Sequence, residues 1–159
     1  MSKVLKMNLE GPERYLLLLG ADSYSIRDKK GRQKFRDLAT SHLPKLYVVS
    51  VVEKPIYVGI TKQPMRNRLR FGWTAGGHAG YYGYPWRNKF SEVNLDIWFH
   101  TDAPKDGSML HLETIESEIV FLIRHRSGQW PMHQTEIHFH PSEQSHRNIA
   151  SEIVSRYKL

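Results

Sequence analysis

The sequence predicts a mixed α/β fold: a small, mainly antiparallel three-stranded sheet flanked by helices. Three observations carry that prediction. Residues 45–52 and 56–61 are two β-branched runs joined by a short turn at Glu53-Lys54-Pro55, the pattern of an antiparallel hairpin. Residues 93–99 alternate apolar and polar side chains, as a half-buried strand does. Leu112, Ile115, Ile119, Leu122 and Ile123 recur at helical spacing, which predicts a long helix over residues 109–126.

The remaining elements follow in order. Residues 1–44 form an N-terminal extension packed on the core, with a short buried element at residues 15–19 punctuated by Gly20. From Arg27 to Arg36 six basic residues stand against one acid, in a stretch expected to continue helically through Phe35, Leu38 and Ala39. After the hairpin, Pro64 opens a helix at its first turn, with Met65 and Leu69 on one face and Arg66, Arg68 and Arg70 spread around the others. Residues 72–84 hold five Gly and three Tyr and are expected as a long aromatic loop, of the kind that is usually functional. Gly128-Gln129-Trp130-Pro131 ends the long helix. An extended piece at residues 135–139 and an amphipathic helix through Ile149, Ile153 and Tyr157 complete the chain. The core is thus assigned to residues 45–134 and the C-terminal strand and helix to residues 135–159, all in one domain, as 159 residues suit.

Composition narrows the function. The 23 Lys and Arg against 16 Asp and Glu leave a net charge of +7, which favours a polyanionic partner. Zero Cys excludes a disulfide scaffold, thiolate zinc sites and a cysteine nucleophile. No apolar run approaches the roughly 20 residues that span a bilayer, and the first residues lack a secretory pattern, so a cytoplasmic location and no membrane partner are expected.

Several side chains could carry chemistry. Tyr47 and Tyr57 lie one on each strand of the hairpin, at positions able to face the same side. Gly59, two residues on, permits a close approach by a ligand or another chain segment. Arg68 follows on the next helix. Glu116 sits within the apolar stripe of the long helix, where a lone carboxylate costs several kcal/mol unless it is paired or binds a cation; a buried salt bridge and a metal ligand both satisfy that demand. His133, His138, His140 and His146 cluster in sequence, and a strand there would put the two rings of His138 and His140 on one face. They could bind zinc, cap a sheet edge or contact phosphate.

Taken in order, these residues resemble the GIY-YIG nuclease superfamily over residues 45–134. Lys45-Leu46-Tyr47 stands where the first tripeptide of the signature falls, Tyr57-Val58-Gly59 matches the second, and Asn67-Arg68-Leu69 matches the arginine helix. Ile115-Glu116-Ser117-Glu118-Ile119-Val120 resembles the block that holds the metal carboxylate, and Pro131-Met132-His133-Gln134 the closing Pro-x-x-Asn segment, with Gln134 for Asn. Lys45 replaces the first glycine. Family members commonly carry a His or Tyr four residues after the arginine, and here that position is Gly72; His78 and Tyr82, in the glycine-rich loop, are the candidates to supply the group.

The resemblance implies a metal-dependent endonuclease hydrolysing phosphodiester bonds in DNA, of the restriction type, cutting both strands as a homodimer or by two nicks. Glu116 would hold Mg²⁺ or Mn²⁺, Arg68 would grip non-bridging oxygens, and Tyr47 and Tyr57 would orient the attacking water, Tyr47 as its base. Lys29, Lys30, Arg32, Lys62, Arg66 and Arg70 are the expected nucleic-acid contacts. The alternatives are a catalytically inactive nucleic-acid-binding module of the same fold, and a structure-selective or RNA-cleaving nuclease.

Overall fold

The computed structural model describes residues 8–134 and 137–159. Its elements are β1 (Glu10–Leu19), β2 (Tyr24–Arg27), β3 (Lys45–Val51), β4 (Lys54–Thr61), α1 (Met65–Thr74), β5 (Glu92–Phe99), α2 (Leu110–Ser127) and α3 (Gln144–Val154). The strands form one antiparallel sheet in the order β2-β1-β5-β3-β4.

The expected hairpin is β3-β4, with Lys45 opposite Thr61 and Val51 opposite Lys54. Its two-residue connection, Val52-Glu53, has φ of 48° and 63°, the left-handed pair that matches the twist of adjacent strands. Neither residue is glycine, and tertiary contacts hold the turn instead. Arg14 grips the Glu53 carboxylate at 2.6 Å, and the Lys158 amide donates to the Glu53 carbonyl at 2.8 Å.

The sheet has five strands where three were expected, because the N-terminal residues join it as β1 and β2. Tyr15 and Leu17 of β1 are fully buried, and Arg14 on the opposite face spans from Glu53 to Asp96. The helix expected through residues 27–39 does not form. Asp28 competes for the backbone: its carboxylate accepts the amides of Lys30 and Arg32 and pairs with the guanidinium groups of Arg32 and Arg36. Burial opposes charge on Asp28, but these donors win and hold its carboxyl down at about 2. Only one 3₁₀ turn, Asp37–Thr40, follows.

Alternation along the strands sends side chains into two cores. Tyr15, Leu17, Tyr47, Val49, Tyr57, Leu95 and Ile97 pack on one face beneath α1, with Met65, Leu69 and Trp73. Leu46, Val48, Val58 and Trp98 pack on the other against α2 and α3, through Leu112, Ile115, Ile119, Ile123, Ala150 and Ile153. The stripe of α2 is therefore the expected one. Of the extended piece expected near the C-terminus, Thr135 and Glu136 lie outside the described residues. Residues 137–139 are not in a strand, since the Gln134 side chain already occupies the Val58 amide and carbonyl on the outer edge of β4. Among the described residues no helix is long and apolar enough to cross a membrane.

Candidate functional site

The hairpin and α1 assemble an aromatic cluster around one arginine. Tyr47 faces Gly59 across the β3-β4 ladder, and its ring occupies the space that a side chain there would fill: a Cβ on Gly59 would lie 2.5 Å from the ring. The close approach that Gly59 permits is thus made by Tyr47 itself. Tyr57 lies beside it, ring centroids 6.1 Å apart.

Tyr84, from the glycine-rich loop, closes the cluster. Its hydroxyl is 2.9 Å from that of Tyr47, and its ring stands edge-on to Tyr57 at 5.4 Å. It packs directly over the Cα of Gly72, so closely that any side chain at that position would collide with the ring. Three carbonyls of this region, those of Gly72, Tyr82 and Tyr84, accept from a single nitrogen of Arg87. Sequence reasoning missed Tyr84. The usable signal was Gly72 itself, a missing side chain in a helix, for which a ring elsewhere had to compensate.

Arg68 projects from α1 over this group. Its guanidinium carbon lies 4.8 Å from the Tyr84 ring centroid, 5.5 Å from that of Tyr81 and 5.8 Å from that of Phe71, within cation–π range. Phe71 and Tyr81 stack with centroids 4.9 Å apart. The guanidinium has no hydrogen-bond or carboxylate partner among the described residues, and its Nη1 is buried. A cation desolvated on one side and held only by ring faces leaves its donors available to an anion.

The phenols are protonated here. Burial drives the Tyr47 hydroxyl well above its ordinary value of 10, and the opposing pull of Arg68 is too small to reverse it. Burial raises Tyr84 in the same way. Both groups are hydrogen-bond partners at neutral pH rather than anions.

Glu116 stands apart. It lies on α2, which covers the opposite face of the sheet from Tyr47, Tyr57 and Arg68. It is half-buried and makes no hydrogen bond or ion pair among the described residues, so of the two alternatives left open for it the salt bridge is not formed there. Burial, reinforced by the like charge of Glu113 one turn earlier, pushes its carboxyl up to about 8.

The other predicted residues scatter. His78 and Tyr82 are exposed, so neither enters the cluster. The Gln134 amide pairs with both the N–H and the C=O of Val58, at 2.8 and 2.9 Å. Lys62 donates to the Gly107 carbonyl, Lys29 and Lys30 are exposed, and Arg32 is engaged by Asp28. Arg66 and Arg70 line a cavity on a different stripe of α1 from Arg68. Of the histidines, His140 pairs with Glu113 at 2.9 Å and His146 meets His111 at 3.0 Å, while the His133 amide donates to Ile56. Among the described residues no group of three His, Cys, Asp or Glu side chains could hold a metal ion.

No protein-family model, curated protein or solved structure matches this chain.

Proposed function

We propose that this chain binds DNA through Arg68 and its tyrosine cluster and acts as a metal-dependent endonuclease of the GIY-YIG type. One observation carries the reading. Arg68 is a partly buried guanidinium with no anionic partner among the described residues, set over the ring of Tyr84 whose hydroxyl meets that of Tyr47, and a phosphodiester is the anion that suits it. The order β3-β4-α1-β5-α2 supports it, with the tyrosines on paired strands and the arginine on the helix that follows. On this reading β1 and β2 are additions to a three-stranded unit, and Tyr84 supplies from a loop the group that Gly72 lacks.

Hydrolysis forms a bond from water oxygen to phosphorus and breaks one from phosphorus to the leaving oxygen. One proton leaves the water and one reaches the leaving group. Arg68 would hold two non-bridging oxygens and offset their growing charge, while Tyr47 and Tyr57 would fix the line of attack through their hydroxyls. For Tyr47 to take the proton, its phenol must ionise beside Arg68, against the cost of its burial.

A cation fits Glu116 on one ground: its half-buried carboxyl has no hydrogen-bond or ion-pair partner among the described residues, and Mg²⁺ is commonly held by one or two carboxylates with waters and substrate phosphates completing the shell. Such an ion would supply Lewis-acid stabilisation to a phosphate reaching the α2 face of the sheet, not to one held only by Arg68 on the other face.

A second reading has its own observation. Glu116 and the tyrosines lie on opposite faces of the sheet, which favours a nucleic-acid-binding module without cleavage. Supercoiled plasmid, incubated with Mg²⁺ or Mn²⁺ and with EDTA, separates the two. Cleavage that EDTA stops and that Arg68→Ala, Tyr47→Phe and Glu116→Ala each abolish supports the nuclease. Tight binding with no cleavage in either metal selects the module, and faster cleavage of RNA moves the substrate away from DNA.

A further inference from the structure

A cavity of about 710 Å³ opens between α1 and the N-terminal segment, within the range of about 300–1,000 Å³ typical of small-molecule sites. Its wall joins two chemistries. Tyr24 and Trp73 supply apolar surface, with ring centroids 4.8 Å apart and Trp73 buried beneath Tyr24. Lys34, Arg66 and Arg70 supply three cations against the single carboxylate of Asp22. Arg66 stands close enough to Tyr24 for its charge to act on the phenol. Flat apolar faces rimmed by phosphate-binding cations fit an aromatic heterocycle that carries phosphate.

Position adds to chemistry. Arg66 and Arg70 flank Arg68 on α1 by two residues each, so the cavity lies within about one helical turn of the tyrosine cluster. We infer that the cavity captures one unstacked nucleotide of the bound strand, its base against the Tyr24 ring that Trp73 backs and its phosphates on Lys34, Arg66 and Arg70. This rests on the reading of Arg68 as a nucleic-acid site. It goes further in giving the protein a preference for strands with an unpaired base, since a base inside an intact duplex must first be flipped out at a cost of a few kcal/mol.

The test is binding in EDTA, so that cleavage plays no part. Fluorescence anisotropy gives the Kd of a labelled single strand, of the same strand with consecutive abasic residues, and of the perfect duplex. The intact strand is expected to bind at least about fivefold more tightly than the abasic one, the low end of base–aromatic stacking, and more tightly than the duplex. Tyr24→Leu should bring that ratio close to one. Arg66→Gln and Arg70→Gln, both at exposed positions, should weaken intact and abasic strands alike and leave the ratio unchanged. Equal affinity of the wild-type protein for intact and abasic strands overturns this inference while leaving the Arg68 reading in place. Failure to bind any strand overturns both. Deoxyadenosine monophosphate binding as tightly as the strand would make this a site for free nucleotides and overturn strand capture.

Discussion

Glu116→Gln should make the protein more stable, and by an amount that grows with pH. The carboxyl has its ordinary pKa of 4.5 when the chain is unfolded and about 8 in the fold. Below pH 4.5 it is protonated in both states and contributes nothing to the difference. Between pH 4.5 and 8 the unfolded chain releases the proton and the folded one keeps it, so stability falls as pH rises. Each pKa unit is worth about 1.36 kcal/mol, so the penalty reaches about 3 kcal/mol at pH 7 and about 5 above pH 8. Glutamine has the same shape and no charge to desolvate, so it escapes the penalty. That is a large part of the 5–15 kcal/mol that holds a typical domain together. Urea unfolding of both proteins at pH 4.5, 7 and 9 measures it. The midpoints should nearly coincide at pH 4.5 and separate progressively in favour of Glu116→Gln. Parallel profiles across that range would refute the reasoning, because they would mean that Glu116 ionises as freely in the fold as out of it. Mg²⁺ at millimolar concentration should stabilise the wild-type protein at pH 9 and leave Glu116→Gln unmoved; equal stabilisation of the two would remove Glu116 as the ligand.

Three further outcomes follow from the packing and the ionisation of the site. Gly59→Ala places a methyl 2.5 Å from the Tyr47 ring, and overpacking of that kind should cost about 1–3 kcal/mol, or roughly 2–4 °C in Tm for each kcal/mol; an unchanged melting curve would show that the ring moves aside freely. Arg14→Met leaves the carboxylate of Asp96, 2 % exposed, with only the Tyr157 hydroxyl, and should cost about 3 kcal/mol, most of it recovered when Asp96→Asn is added; a double variant no better than the single one would contradict this account. If Tyr47 is the base, its raised pKa means that the ionised fraction grows about tenfold per pH unit, so cleavage at saturating metal should climb without a plateau from pH 7 to 9; a plateau by pH 8 would assign the proton to another group.

The parts of the fold legible in the sequence are those with local causes. β3 and β4 declare themselves through β-branched runs, and α2 through a stripe repeated over about three turns. β1 was harder. Only residues 15–19 read as a buried element, because Glu10, Glu13 and Arg14 give its first half a polar appearance. Arg14 sits in a strand only because Asp96 waits opposite on β5, a partner 82 residues away. The basic stretch after β2 reads as a helix by its spacing, and a single Asx-type hydrogen-bond set at Asp28 decides otherwise.

The site divides in the same way. Tyr47, Tyr57 and Arg68 were legible because strand alternation and a short connection bring them together. Tyr84 was not, since its position depends on a loop pinned by Arg87. Glu116 could be recognised as a carboxylate on an apolar face, but which side of the sheet that face covers depends on the path of the chain after β5. The basic residues show the limit of reading charge: Arg32 serves an internal turn, while Arg66 and Arg70, equally basic in the sequence, border open space.

The Gln134 amide has a consequence for assembly. By giving one donor and one acceptor to Val58, with the His133 amide beside it on Ile56, it acts as a sixth strand one residue long. An outermost strand with vacant backbone groups is a template on which a second sheet can grow, and here the middle of that template is already occupied. Two copies joining by sheet extension at this border would first have to evict Gln134, so this edge disfavours self-association through strand pairing.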